Sequence, residues 1–193
     1  MIASFGQGIE RWCSHDWQVR REPRMTQEHE TALARATPPR HIREFWNDPN
    51  WQKIWLAIQG KEWRSLAIIP GNDGMSTLEV AQALVDVGWQ HRGLPIGLAD
   101  LRNVTLPYID SVIDEVRAHV YGGERVLIAL RSVFENPATV PIAQAADSAL
   151  LCISLGNTKI SGAEETIEQV GRPRFLGSII VRGGLTQDSL VPT

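Results

Sequence analysis

A chain of 193 residues with 43% hydrophobic content has material for one domain of ordinary size plus an extension. Its net charge of -3 and its scattered Lys and Arg leave no basic stripe, so neither nucleic acid nor anionic lipid is favoured as a partner. No apolar run approaches the roughly 20 residues of a membrane span, and the start "MIASFGQGIERWC" lacks a basic region followed by an apolar core, so we expect an unexported, cytoplasmic protein without a span.

Residues 1–49 form an expected N-terminal extension with little periodicity, yet it carries Trp12, Trp17 and Trp46. Its middle, "RREPRMTQEHETALARATPPR", is polar, mixed in charge and closed by Pro38 and Pro39, which reads as a linker or a loosely packed arm. The flanking tryptophans are expected to dock, on the domain or on a second copy. From Asn50 a regular domain begins and extends to about residue 183, with a tail over 184–193. "NWQKIWLAIQ" sets Trp51, Ile54, Trp55 and Ile58 at helical spacing and Gly60 stops the helix. Those aromatics suit core packing; a partner surface is the other reading.

Strand and helix signals then alternate. "SLAIIP" (65–70) is a short apolar run. A glycine loop and "STLEVAQALVDVG" follow, in which Leu78, Ala81, Leu84 and Val85 share a helical face that ends at Gly88. "LPIGLADL" (94–101) is the second strand, and "LPYIDSVIDEVRAHV" (106–120) a helix with Ile109, Val112, Ile113 and Val116 inward. "RVLIAL" (125–130) is the third strand, "VPIAQAAD" a short helix, "SALLCISL" (148–155) the fourth strand, "GAEETIEQVG" a helix, and "FLGSIIVR" (175–182) the fifth. Continuous apolar strands separated by helices imply an α/β fold, with a parallel sheet of at least five strands covered on both faces. The first strand should lie near the sheet's centre.

In open sheets of this kind ligands bind beyond the carboxyl ends of the strands. The loop "PGNDGMST" lies there, so Gly71, Gly74, Ser76 and Thr77 are candidate binding residues. Two readings stay open for it. Gly71 and Gly74 permit a tight turn and Ser76 caps the next helix, or the backbone amides at the helix start hold an anion. Asp73 would repel phosphate unless it is turned outward.

Several segments in this order resemble the P-loop ATPases of the MinD/ParA type, and more closely the cytoplasmic ATPase domain of bacterial capsule and exopolysaccharide tyrosine kinases. "AIIPGNDGMSTLEVAQALVDVG" is similar to that family's first strand, phosphate loop and helix. "IGLADLRN" resembles its second acidic motif, usually Asp-Ala-Asp-Leu-Arg, and "RVLIALRSVFENPATVPIAQAADSALLCISLGNT" resembles the strand that normally ends in Asp-Thr-Pro-Pro together with the segments after it. The likeness runs from about Ile54 to Arg182 and implies a P-loop NTPase-like fold.

The departures from that pattern bear on chemistry. An active loop uses lysine to reach the β- and γ-phosphates, a hydroxyl to ligate Mg²⁺, and acids at strand ends to hold the metal. By the resemblance, Met75 stands for the lysine, Leu98 for the first acid of the second motif and Ala129 for the terminal acid of the third strand. The family's second loop lysine would fall near Pro70. Only Asp100 survives of those carboxylates. Electrostatic stabilisation carries most of phosphoryl-transfer catalysis, so the expectation is a protein with no catalytic residue and no cofactor. ATP or ADP with Mg²⁺ enters only under the alternative of a nucleotide sensor or slow ATPase built on Gly74, Ser76 and Thr77. The family's tyrosine cluster is missing too, since the chain has only Tyr108 and Tyr121.

Other constellations are poorer. The histidines His15, His29, His41, His91 and His119 lack metal-ligand spacing. Cys13 and Cys152 are far apart, and Cys152 sits in "ALLCISL", the setting of a core thiol. Glu164, Glu165 and Glu168 suit a solvated helix face. The resemblance thus implies a pseudo-ATPase that acts through a protein partner. That partner would be a membrane-bound polysaccharide chain-length regulator or a second copy, with the protein peripheral at the inner membrane through it.

Overall fold

The computed structural model describes residues 33–34, 47–92 and 96–181. Trp12, Trp17 and Trp46, the histidines before residue 47 and the tail 184–193 lie outside the described residues, and so do the docking expectations attached to them. Eleven elements follow one another. They are β1 (Leu33–Ala34), α1 (Pro49–Gln59), β2 (Ser65–Pro70), α2 (Thr77–Arg92), β3 (Ile96–Asp100), α3 (Ile109–Tyr121), β4 (Arg125–Ala129), α4 (Thr139–Ala145), β5 (Ser148–Ser154), α5 (Ile160–Val170) and β6 (Phe175–Val181). A 3₁₀ turn, Leu106–Tyr108, leads into α3.

The sheet order is β1-β3-β4-β2-β5-β6. From β3 to β6 all pairings are parallel, so the five-stranded parallel sheet expected of the apolar runs is present, with β2 between β4 and β5. Every residue of β2 is buried, because helices cover both faces and strands flank both edges. On one face α1 and α2 pack, with Trp55, Ile58, Leu84 and Val85 meeting Leu66, Ile68, Leu127 and Leu150. On the other, Val112 and Val116 of α3, Ile142 of α4 and Val170 of α5 meet Ala67, Ile69 and Ile128. Each fully buried Leu, Ile or Val contributes about 1.5–3 kcal/mol from water exclusion alone.

Local chemistry sets the boundaries. Asp48 caps α1 by accepting from Asn50 N–H at 2.7 Å, with Pro49 in the first turn, where its missing N–H is no loss. At the amino edge of the sheet, Asp147 Oδ2 accepts from Arg64 N–H and Ser65 N–H, both at 2.8 Å, while Ser65 Oγ accepts from Asp147 N–H at 2.9 Å. This reciprocal clamp ties the starts of β2 and β5 together. Trp63 donates its indole N–H to Ile58 O at 2.8 Å and lies edge-on to Trp55, 6.5 Å between ring centroids. Arg125 stacks 4.8 Å above its ring.

One expectation is corrected: α2 does not end at Gly88 but continues to Arg92. Gly88 is there because Trp55 and Ile96 crowd it, and an added Cβ would stand 2.7 and 2.8 Å from Trp55 ring carbons and closer still to Ile96 Cδ1. The core-packing reading of the α1 aromatics holds for Trp55, which is 1% exposed, with Trp51 packed at the cluster's margin. Within the polar segment, the two-residue strand β1 runs antiparallel to β3 through Leu33 opposite Ala99 and Ala34 opposite Leu98.

Gly88→Ala supplies a sharp test of this packing. In an open helix alanine gains about 1 kcal/mol over glycine, but overpacking a filled interface costs about 1–3 kcal/mol. Urea denaturation should therefore show a lower midpoint for the variant with an unchanged slope. An equal or higher midpoint would mean that Trp55 and Ile96 move aside freely.

Candidate functional site

The loop from Gly71 to Ser76 leaves the carboxyl end of β2 at the centre of the sheet, so its neighbours are the chain segments that follow β4 and β5. Gly71 N–H extends the ladder by donating to Cys152 O at 2.8 Å. Its own conformation needs no glycine; space does. A Cβ at Gly71 would stand 3.1 Å from Thr158 Cγ2 and 3.5 Å from Ala163 Cβ, and one at Gly162 would stand 2.8 Å from Gly71 O. The paired glycines let α5 lie against the loop backbone. Gly74, in contrast, has φ +79°, a left-handed conformation that glycine adopts without strain. Thus the tight-turn reading holds at Gly74, whereas Gly71 is a packing residue.

The two hydroxyl candidates part company. Thr77, the first residue of α2, is fully buried, and its hydroxyl donates to Leu130 O at 2.6 Å. That bond ties the start of α2 to the end of β4 and turns the donor inward. Ser76 is half-buried and immediately precedes α2. Asp73 is exposed, so the loop's acid is not packed within it. Asn72 takes part in a relay in which Thr158 Oγ1 donates to Asn72 Oδ1 at 2.6 Å and accepts from Ser154 N–H at 2.8 Å.

Met75, Leu98 and Ala129 share one surrounding. Ala129 is a fully buried member of the apolar cluster under α1 and α2, and Met75 and Leu98 pack against that same cluster. The hydrophobic core therefore rises to the carboxyl edge of the sheet at the three positions where the resemblance places charges. An adaptable thioether suits the margin of such a cluster.

Asp100 sits one strand further out. Arg102 donates from Nε to Asp100 Oδ1 at 2.7 Å and from Nη2 to Oδ2 at 2.8 Å, a two-pronged pair in which Arg102 is 16% and Asp100 37% exposed. Partial burial pushes the Asp100 carboxyl up, but the hydrogen bonds and charge of Arg102, with Arg131 beyond, outweigh it and hold the group below its ordinary value. Arg102 is pushed up, first by its hydrogen bond to Asp100. Asp100 is thus neutralised by its neighbour two residues on.

Sequence reading missed the segment after β4. Glu135 Oε1 accepts from Gly74 N–H at 3.2 Å, and Oε2 lies 3.7 Å from Arg131 Nη1. Asn136 donates to Arg102 O and Val104 O at 3.2 and 2.9 Å, so the turns after β3 and β4 are stitched together beside the loop. Only the proximity of "RSVFENP" to a strand end could have flagged these residues. Elsewhere Glu164, Glu165 and Glu168 are exposed, Cys152 is buried with its thiol pushed up to about 12 by desolvation, and His119 pairs with Glu124 at 2.7 Å.

The site thus gathers Gly71, Gly74, Ser76 and Thr77 with Glu135 and Arg131, while Asp100 is held apart by its own partner. Among the described residues no helix is long and apolar enough to cross a membrane. In comparison with known proteins, the chain matches no family model, no curated protein and no solved structure. What the fold itself defines is a parallel α/β protein, compatible with a P-loop NTPase-like arrangement.

The lowered carboxyl of Asp100 has a signed consequence. A group whose folded pKa is depressed stabilises the fold above its unfolded pKa, and that contribution fades as pH falls through the folded value. Asp100→Asn should therefore cost stability at pH 7, about 1 kcal/mol or less for so exposed a pair. The gap to wild type in urea melts should close as the pH drops below the ordinary value of 3.8. A gap that is constant from pH 7 to pH 3 would show that the ion pair is not its source.

Proposed function

We propose that this chain is a catalytically inactive P-loop-fold pseudo-ATPase, a degenerate relative of the MinD/ParA-type ATPases and of the ATPase domain of capsule and exopolysaccharide tyrosine kinases. On this reading it serves as a protein-interaction or regulatory component in bacterial exopolysaccharide synthesis or export, at the cytoplasmic side of the membrane through a partner. The partner class is a membrane-bound chain-length regulator or a second copy of the chain.

One observation carries the reading. Met75, Leu98 and Ala129, at the positions of the lysine and two acids, join a single apolar cluster. Phosphoryl transfer depends on charges placed around the phosphates and metal, and here that volume edge is hydrocarbon. The inward hydroxyl of Thr77 and the self-neutralised Asp100 point the same way. The central position of β2 next to β4 is compatible with the ancestry.

Calorimetry with ATP and Mg²⁺, together with a hydrolysis assay, tests it. The expected result is no saturable heat and no turnover above a blank. Met75→Lys should not rescue activity, and it should lower stability by about 1–3 kcal/mol because an ammonium replaces an apolar side chain at the cluster's margin. Turnover of ATP that disappears in Ser76→Ala would overturn the proposal and establish a nucleotide-binding sensor or slow ATPase instead.

A further inference from the structure

We propose that Glu135 is the loop's internal occupant: its carboxylate bridges the Gly74 amide and the Arg131 guanidinium and so keeps an outside oxyanion from that pair of donors. The inference deepens the pseudo-ATPase reading and rests on it for the identity of the loop as a former phosphate site. Its physical basis is the bridging geometry. One carboxylate oxygen accepts from Gly74 N–H at 3.2 Å and the other faces Arg131 Nη1 at 3.7 Å.

An amide donor on a left-handed glycine and a guanidinium are the groups that would receive two oxygens of a phosphate. Glu135, which bridges them, lies 61 residues after Gly74 in sequence and is brought to it by the adjacency of β2 and β4. A carboxylate supplies the same two-oxygen acceptor with a single charge. The Glu135 side chain is 27% and Arg131 45% exposed, so the ion pair itself adds little to stability. The effect of the contact is on access. An external anion reaching Gly74 must displace a tethered carboxylate and meets its negative charge, whereas a variant without that charge releases Gly74 N–H and Arg131 Nη1, while Arg131 Nε still donates to Asn103 Oδ1 at 3.2 Å.

The consequence is that removing one acid, rather than restoring the lysine, opens the loop to anions. Inorganic phosphate titrated against ¹⁵N-labelled full chain at constant ionic strength, with Gly74 as the reporting amide, reads this directly. Glu135→Ala should give a saturable Gly74 shift, and Glu135→Gln, which keeps the side-chain volume, should give it as well. Wild type should need at least about tenfold more phosphate for the same shift, since a hydrogen bond to a charged group must be exchanged. Arg131→Ala in the Glu135→Ala background should weaken the response.

A wild-type Gly74 that titrates as readily as the variants, or variants whose Gly74 ignores phosphate while the rest of the spectrum is unchanged, would overturn the inference. Neither result touches the pseudo-ATPase reading, which fails only on ATP binding or turnover by the wild-type chain.

Discussion

The position of β2 constrains everything else in this molecule. Because the strand is buried on both faces and paired on both edges, the chain can leave it only into the cleft between the ends of β4 and β5. The loop's backbone and hydroxyl contacts then come from two sides. From the β5 side come Cys152 O, Thr158 and Gly162; from the β4 side come Leu130 O and Glu135. A loop held from both sides by fixed backbone is a suitable cradle for a ligand, and equally it can be closed by its own neighbours. Which of the two obtains is decided by side chains, not by the fold.

The side chains here favour closure, and they do so as a set. A lysine or acid at the rim of an apolar cluster is tolerable only while an opposite charge, a metal or a phosphate compensates it. When one member of such a constellation is absent, each remaining member becomes a charge without a partner beside a hydrophobic core. Under the proposed reading, apolar replacement of all of them is then the stable solution, and it accords with Met75, Leu98 and Ala129 contributing to one cluster. Asp100 escapes this logic because Arg102, two residues along, compensates it without help from any ligand.

The parallel sheet, its five strands and the helix after each of the first four were legible because both-face burial writes continuous apolar runs such as "SLAIIP" and "SALLCISL". Strand ends moved by a residue or two at most where both versions are described. Less legible was anything that depends on one element touching another. Gly88 reads as a stop in isolation and becomes a packing residue only once Trp55 and Ile96 are placed against it. Two-residue β1 carries no periodicity at all. Gly71 and Gly74 look alike in sequence, yet one answers to α5 and the other to its own φ angle.

Glu135 is the clearest instance of that limit. In sequence it is one acid in "RSVFENP", with no spacing that relates it to a loop 61 residues earlier. Its relation to Gly74 exists because β4 lies beside β2, and the sheet order was not something the apolar runs specified. Thr77 makes the converse point. Its place after the glycines made it a candidate ligand, but the carbonyl that accepts its hydroxyl proton belongs to Leu130, at the end of that same neighbouring strand. Adjacency of β2 and β4 thus decides both contacts at once, turning the Thr77 hydroxyl inward and bringing the Glu135 carboxylate to the Gly74 amide. The strand pairing that gives the loop the position of a binding site also supplies the partners of Gly74 N–H and the Thr77 hydroxyl.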